Sequence, residues 1–217
     1  MIDPCRLYLI TPPAIDDLDH FEEALKAALS LGNVACLQVR LKSFDNQAAS
    51  RDEILRTTER LLPIAKAADV AVLINDSPAL AKECGADGVH IGQSDGDCRE
   101  VRQVLGEDAF IGVTCHNSID LGFAAGEAGA DYVAFGAFFD TETKKASFRA
   151  SPDILRQWTD ATVLPSVAIG GITPLNCAPL VSAGADYLAV SSAVWQSADG
   201  PASAVSAFAT SINGVLS

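Results

Sequence analysis

Gln38, Arg40 and Lys42 alternate with Val39 and Leu41. A two-residue period places all three polar side chains on one face of an extended strand. A solvated sheet edge tolerates such a face. A strand inside a closed barrel has no edge, and three polar groups turned inward there need a ligand or counterions. Two converging cations select an anion, and a guanidinium can hold an oxyanion through two N–H groups at once. Further along, Asn75-Asp76 and His90-Ile91-Gly92-Gln93-Ser94-Asp95 close two other apolar runs. Asp76 and Asp95 are hard oxygen ligands with no soft ligand beside them, which suits Mg²⁺. That ion takes one or two carboxylates and completes its shell with water and substrate phosphate. Taken singly, Asp76 is also a natural helix N-cap and Asp95 a natural turn residue.

Other polar residues follow the later apolar runs. Thr114 and His116 close the fifth, with Cys115 between them. Cys115-His116 suggests a thiol–imidazole nucleophile, but neighbours on a strand point to opposite faces, so the pair is a poor one. In Ile169-Gly170-Gly171-Ile172-Thr173 the glycines let backbone N–H groups approach a phosphate, or simply make a turn. Ser191 and Ser192 follow the last run, and barrels often build a phosphate site from the loops after strands 7 and 8. Thr141-Glu142-Thr143-Lys144-Lys145 lies in the longest loop, 138–151, where its hydroxyls and ammonium groups can grip phosphate oxygens. A solvated charged loop is the plainer alternative. Loops of this length in compact domains are often lids.

These residues need a frame. Apolar runs at 6–11, 36–40, 71–75, 88–91, 110–114, 132–135, 166–169 and 187–190 alternate with amphipathic segments. The segments are 18–31, 52–67, 79–84, 98–105, 119–128, 152–158, 175–183 and 202–212. Eight such βα units predict a parallel sheet covered by helices and closed into a (β/α)8 TIM barrel, with its active site at the C-terminal strand ends. Gly85-Ala86-Asp87, Gly129-Ala130-Asp131 and Gly184-Ala185-Asp186 each link a helix to a strand at the opposite end. Their glycines suit left-handed helix ends, and their aspartates read as structural.

The 217 residues, 49% hydrophobic and without an internal linker, read as one domain spanning 1–217. A net charge of −13 argues against nonspecific nucleic-acid binding. It does not oppose a small phosphorylated ligand, which needs only a local patch of donors. No run approaches the ~20 apolar residues of a membrane helix. The start, Met1-Ile2-Asp3-Pro4-Cys5-Arg6, lacks the pattern of a signal peptide. A cytoplasmic location is therefore expected, with the six scattered cysteines as buried thiols. Homo-oligomer formation is left open.

Eight segments, in order along the chain, carry a resemblance. They are Tyr8-Leu9-Ile10-Thr11, Gln38-x-Arg40-x-Lys42, Ile74-Asn75-Asp76, and Gly85-Ala86-Asp87-Gly88-Val89-His90-Ile91-Gly92-Gln93-x-Asp95. The others are Gly112-Val113-Thr114-x-His116, Gly129-Ala130-Asp131-Tyr132, Thr141-x-Thr143-Lys144, and Ala168-Ile169-Gly170-Gly171-Ile172. The chain resembles the thiamine-phosphate synthase (thiamine-phosphate pyrophosphorylase) family, itself a (β/α)8 barrel. The resemblance implies that a 4-amino-2-methylpyrimidine carrying a methyl diphosphate is joined to the nitrogen of a thiazole phosphate. Diphosphate leaves, with a dissociated pyrimidine carbocation on the path. It implies Asp76 and Asp95 as Mg²⁺ ligands, and Arg40, Lys42, Asn75, Thr114 and Lys144 as diphosphate contacts. Gln38 and His90 fall on the pyrimidine side, Thr141 and Thr143 at the thiazole phosphate, and Gly171 with Ser192 in the phosphate cradle, beside Ser191.

The chain departs from the family's usual residues at Leu41, Ser77, Asp140 and Ser191. Asp140 is expected to bring a negative charge to an anion-binding loop. Competing readings are a metal-free thiazole-phosphate tautomerase using His116, a noncatalytic binder of thiamine precursors, and a Schiff-base aldolase using Lys144. The last is disfavoured by the loop position of Lys144.

Overall fold

Alternation inside each short apolar run sends its side chains to two different cores. The computed structural model describes residues 4–42, 47–141 and 148–216. Its strands are β1 (Arg6–Ile10), β2 (Val34–Val39), β3 (Ala71–Asn75), β4 (Gly88–Ile91), β5 (Phe110–His116), β6 (Tyr132–Gly136), β7 (Ser166–Ile169) and β8 (Tyr187–Val190). Each pairs in parallel with the next and β8 pairs with β1, closing the barrel the sequence predicts. On β1, Leu7 and Leu9 join the layer between sheet and helices, while Tyr8 and Ile10 join the barrel interior. Interior positions are small on several strands, including Ala134 and Ala189, which leaves room for Tyr8 and Tyr132.

The helices are α1 (Leu18–Leu29), α2 (Arg51–Ala67), α3 (Pro78–Cys84), α4 (Cys98–Leu105), α5 (Ile119–Glu127), α6 (Asp153–Ala161), α7 (Ala178–Ser182), α8 (Ser192–Trp195) and α9 (Pro201–Leu216). Side-chain oxygens of Asp17, Ser50, Ser77, Asp97 and Ser118 accept N–H groups in the first turns of α1 to α5, starting those helices. The main differences from the periodicity lie near the barrel mouth. Strand β5 runs on to His116, and an additional short helix, α8, follows β8. Helix α7 begins only at Ala178, because Asn176 closes a turn there: its side chain accepts the Thr173 N–H and donates to Gly171 O.

The three Gly-Ala-Asp segments clasp the far end of the barrel. Gly85, Gly129 and Gly184 all take positive φ, as a left-handed helix end requires. The Asp87, Asp131 and Asp186 carboxylates accept N–H groups of the preceding strands, from Val72, Ile111 and Ser166. Asp131 also pairs with Arg102 at 2.6 Å. These contacts are structural and lie away from the mouth. Asp131→Ala leaves the Ile111 N–H without its acceptor and is expected to lower unfolding stability by about 1–3 kcal/mol. Urea denaturation measures that loss, and activity of the folded fraction should be unchanged.

Candidate active site

The strand register delivers the polar residues to one place. Gln38, Arg40, Lys42, Asn75, Asp76, His90, Asp95, Thr114, Thr141, Gly171, Ser191 and Ser192 all line a single cleft of about 460 Å³ at the C-terminal strand ends. Thr143 and Lys144, also expected there, lie outside the described residues.

One wall is cationic. The Arg40 backbone N–H donates to Thr11 Oγ1 at 2.9 Å, and the Thr11 N–H donates to Gln38 O at 3.0 Å, which ties the ends of β1 and β2 together. The Arg40 guanidinium makes no hydrogen bond or ion pair with another described residue. Burial pulls its pKa below the ordinary value, and the Asp76 carboxylate opposes that shift. An arginine stays protonated regardless, so this half-buried guanidinium gives the cleft wall a fixed positive charge. The Lys42 Nζ donates to Asp76 Oδ2 at 2.7 Å.

Each carboxylate is held by backbone geometry. Asp76 adopts φ +63°, a left-handed conformation that aspartate tolerates better than most residues, and its N–H donates to His90 O at 2.8 Å. Ser77, not Asp76, caps α3. Asp95 Oδ2 accepts the Gly92 N–H at 2.9 Å, so Asp95 closes a turn and lines the cleft at once. Among the described residues no cluster of three or more His, Cys, Asp or Glu side chains forms a metal cage. Mg²⁺ does not require one, since one or two carboxylates plus substrate phosphates suffice.

The floor is a polar chain. Gln38 Nε2 donates to Asn75 Oδ1 at 2.7 Å, and Tyr8 Oη donates to Gln38 Oε1 at 3.2 Å. Tyr8 and Tyr132 hydroxyls lie 2.9 Å apart. Tyr132 Oη is 2.9 Å from His90 Nδ1, and His90 Nε2 is 2.8 Å from Thr114 Oγ1. Burial raises both phenol pKa values well above the ordinary one and keeps the hydroxyls neutral.

At the opposite wall Gly171 has φ +62°, and a Cβ there would lie 2.1 Å from Asp140 O. The glycine is therefore needed for the close approach of the loop after β6, whatever its backbone offers a phosphate. Ser191 Oγ donates to Thr11 O at 3.2 Å, and Ser192 opens α8. The exposed Asp140 carboxylate pairs with Arg149, which also donates to Phe138 O at 3.2 Å.

Cys115 is fully buried among apolar side chains, and its thiol is pushed up to about 12, chiefly by burial and secondarily by Cys98. It is no nucleophile at neutral pH. His116 turns into the cleft with φ +53° and packs on Phe148, ring centroids 4.5 Å apart. Phe148, Tyr8 and Tyr132 escaped the reading of candidate side chains, because an aromatic residue in sequence reads as core or as a loose loop residue.

A closed parallel barrel with a cleft of cationic and carboxylate side chains at its C-terminal strand ends defines a (β/α)8 barrel protein with its candidate active site at the usual end. The family described as thiamine monophosphate synthase (TMP-TENI) matches residues 7–194. A thiamine-phosphate synthase of Rhodospirillum centenum is 53% identical over 94% of this chain and 96% of its own. One from Hyphomonas neptunium is 52% identical over 94% of this chain and 91% of its own. The solved thiamine phosphate pyrophosphorylase of Pyrococcus furiosus superposes with a TM-score of 0.81 at 25% identity, covering 98% of this chain and 97% of that one. The chain belongs to the thiamine monophosphate synthase family, which makes it a transferase by class.

Inorganic diphosphate should bind in the cleft by calorimetry. Replacing a charged donor with a neutral one, Arg40→Gln, is expected to weaken that binding about tenfold or more. Unchanged affinity would show that the cationic wall is not the anion site.

Proposed function

We propose that this chain is a thiamine-phosphate synthase acting as one barrel domain. It joins 4-amino-2-methyl-5-pyrimidinylmethyl diphosphate to a thiazole phosphate and releases diphosphate. The observation that carries the reading is the convergence of twelve expected residues on one cleft within a chain of this family.

The reaction breaks a C–O bond to diphosphate and forms a C–N bond to the thiazole. Charge grows on the departing diphosphate, so fixed positive groups beside it lower the barrier. Arg40 and Lys42 supply that charge, with Asn75, Thr114 and Lys144 as further contacts. Asp76 and Asp95 fit the donor set of a Mg²⁺ ion, which supplies additional positive charge to the phosphate oxygens when bound. Lys42 Nζ lies 2.7 Å from Asp76 Oδ2, so the proposed metal ligand and the proposed diphosphate contact are neighbours. Gln38 and His90 orient the pyrimidine. Thr141, Thr143, Gly171, Ser191 and Ser192 hold the thiazole phosphate so that its nitrogen meets the carbon as the diphosphate departs. The path is dissociative, and water must be kept from the pyrimidine cation. Ser77, where the chain departs from the family's usual residue, caps α3 and does not line the cleft. The six free cysteines support a reducing, cytoplasmic setting.

Incubation with both substrates and Mg²⁺ should yield one diphosphate per thiamine phosphate. EDTA should abolish turnover, and Asp76→Ala should lower kcat/KM by about a hundredfold or more. Product formed at full rate without a divalent ion would contradict the proposal. Interconversion of thiazole phosphate isomers, with no diphosphate released, would identify the tautomerase instead, with His116 as its acid or base.

A further inference from the structure

The floor of the cleft has a direction. Gln38 directs its Nε2 at Asn75, so Oε1 faces Tyr8, and a carbonyl oxygen can only accept. Tyr8 therefore commits its one hydroxyl proton to Gln38, and its oxygen accepts from Tyr132. With its proton so used, Tyr132 can only accept from His90, which must carry hydrogen on Nδ1. If the ring is neutral, its Nε2 is bare and accepts the Thr114 hydroxyl. Neither phenol lines the cleft, so both act through others. Gly112 exists for this arrangement: paired with Tyr132 across β5 and β6, a Cβ there would sit 1.9 Å from the phenol ring.

We infer that Tyr8 and Tyr132 are positioning residues that fix the His90 tautomer and, through it, the direction of the Thr114 hydroxyl. In this arrangement Thr114 turns its hydrogen inward and its lone pairs outward. A phosphate oxygen at Thr114 demands the reverse. The same four protons then rearrange: Thr114 donates outward, His90 carries hydrogen on Nε2, Tyr132 donates to Nδ1, and Tyr8 donates to Tyr132. No net charge changes. Gln38 Oε1 is released at the far end of the chain and can accept a donor group of a ligand. An anion at one end and a hydrogen-bond donor at the other thus favour each other's binding. This rests on the proposed function for the identity of the anion, but the tautomer of the free protein does not.

Nitrogen-15 NMR of histidine-labelled protein reads the tautomer directly. The free chain is expected to carry His90 hydrogen on Nδ1, and saturating inorganic diphosphate should move it to Nε2. Hydrogen on Nε2 in the free protein overturns the inference, whatever the enzyme's activity. Tyr132→Phe should abolish the fixed tautomer. It should also lower kcat/KM for the diphosphate substrate about tenfold, the scale of one lost hydrogen bond, with the KM for the thiazole phosphate unmoved. In a Thr114→Ala background Tyr132→Phe should have little further effect, since the hydroxyl it directs is gone. Fully additive losses would contradict the chain. Thermal unfolding of each variant separates these effects from simple loss of fold.

Discussion

Closing eight parallel strands into a barrel turns every second side chain into a space that holds few of them. Whatever polar group points there must find its partner inside. The upper interior of this protein meets that constraint with a continuous series from Asn75 through Gln38, Tyr8, Tyr132 and His90 to Thr114. Because every member holds a neighbour, none can rotate independently. The cleft residues above them inherit fixed positions from a floor that is itself over-determined.

Electrostatics at the mouth runs against the charge of the whole chain. A net charge of −13 spreads over the surface, and salt screens it beyond about 10 Å. Arg40 and Lys42 act within that distance of a bound ligand, at partly buried positions where screening is weak. Lys42 is hydrogen-bonded to Asp76, whereas Arg40 feels that carboxylate without an ion pair among the described residues, so the two cations are not equivalent. A second pair, between Asp140 and Arg149, lies on the opposite wall, outside the barrel, and is largely exposed.

Much of this was legible in the residues themselves. The period of the apolar runs gave the barrel, because a strand buried on both faces has few polar interruptions. Gln38, Asn75, His90 and Thr114 stood out as polar interruptions near strand ends. That Asp87, Asp131 and Asp186 are structural followed from their place after a helix-ending glycine; their bonds to strand N–H groups did not. Other features depend on contacts between distant segments and left no local mark. Helix α8 is a single turn, too short for a periodic pattern. Tyr8 and Tyr132 look like ordinary core residues until 124 positions of chain fold to bring their hydroxyls together. Asp140 looked unfavourable because its partner, Arg149, lies on the other side of the loop. Gly171 looked like a phosphate cradle, and no neighbouring residue type signalled that a Cβ there would also meet the Asp140 carbonyl.

The central claim is that the leaving diphosphate sits between the cationic wall and the two carboxylates, above the Thr114 end of the floor. A crystal structure with the pyrimidine diphosphate and Mg²⁺ tests it most directly. Diphosphate oxygens are expected against Arg40, Lys42 and Thr114, with the ion held by Asp76 and Asp95. Diphosphate seated instead at Gly171 and Ser192, with Arg40 and Lys42 unengaged, would contradict it.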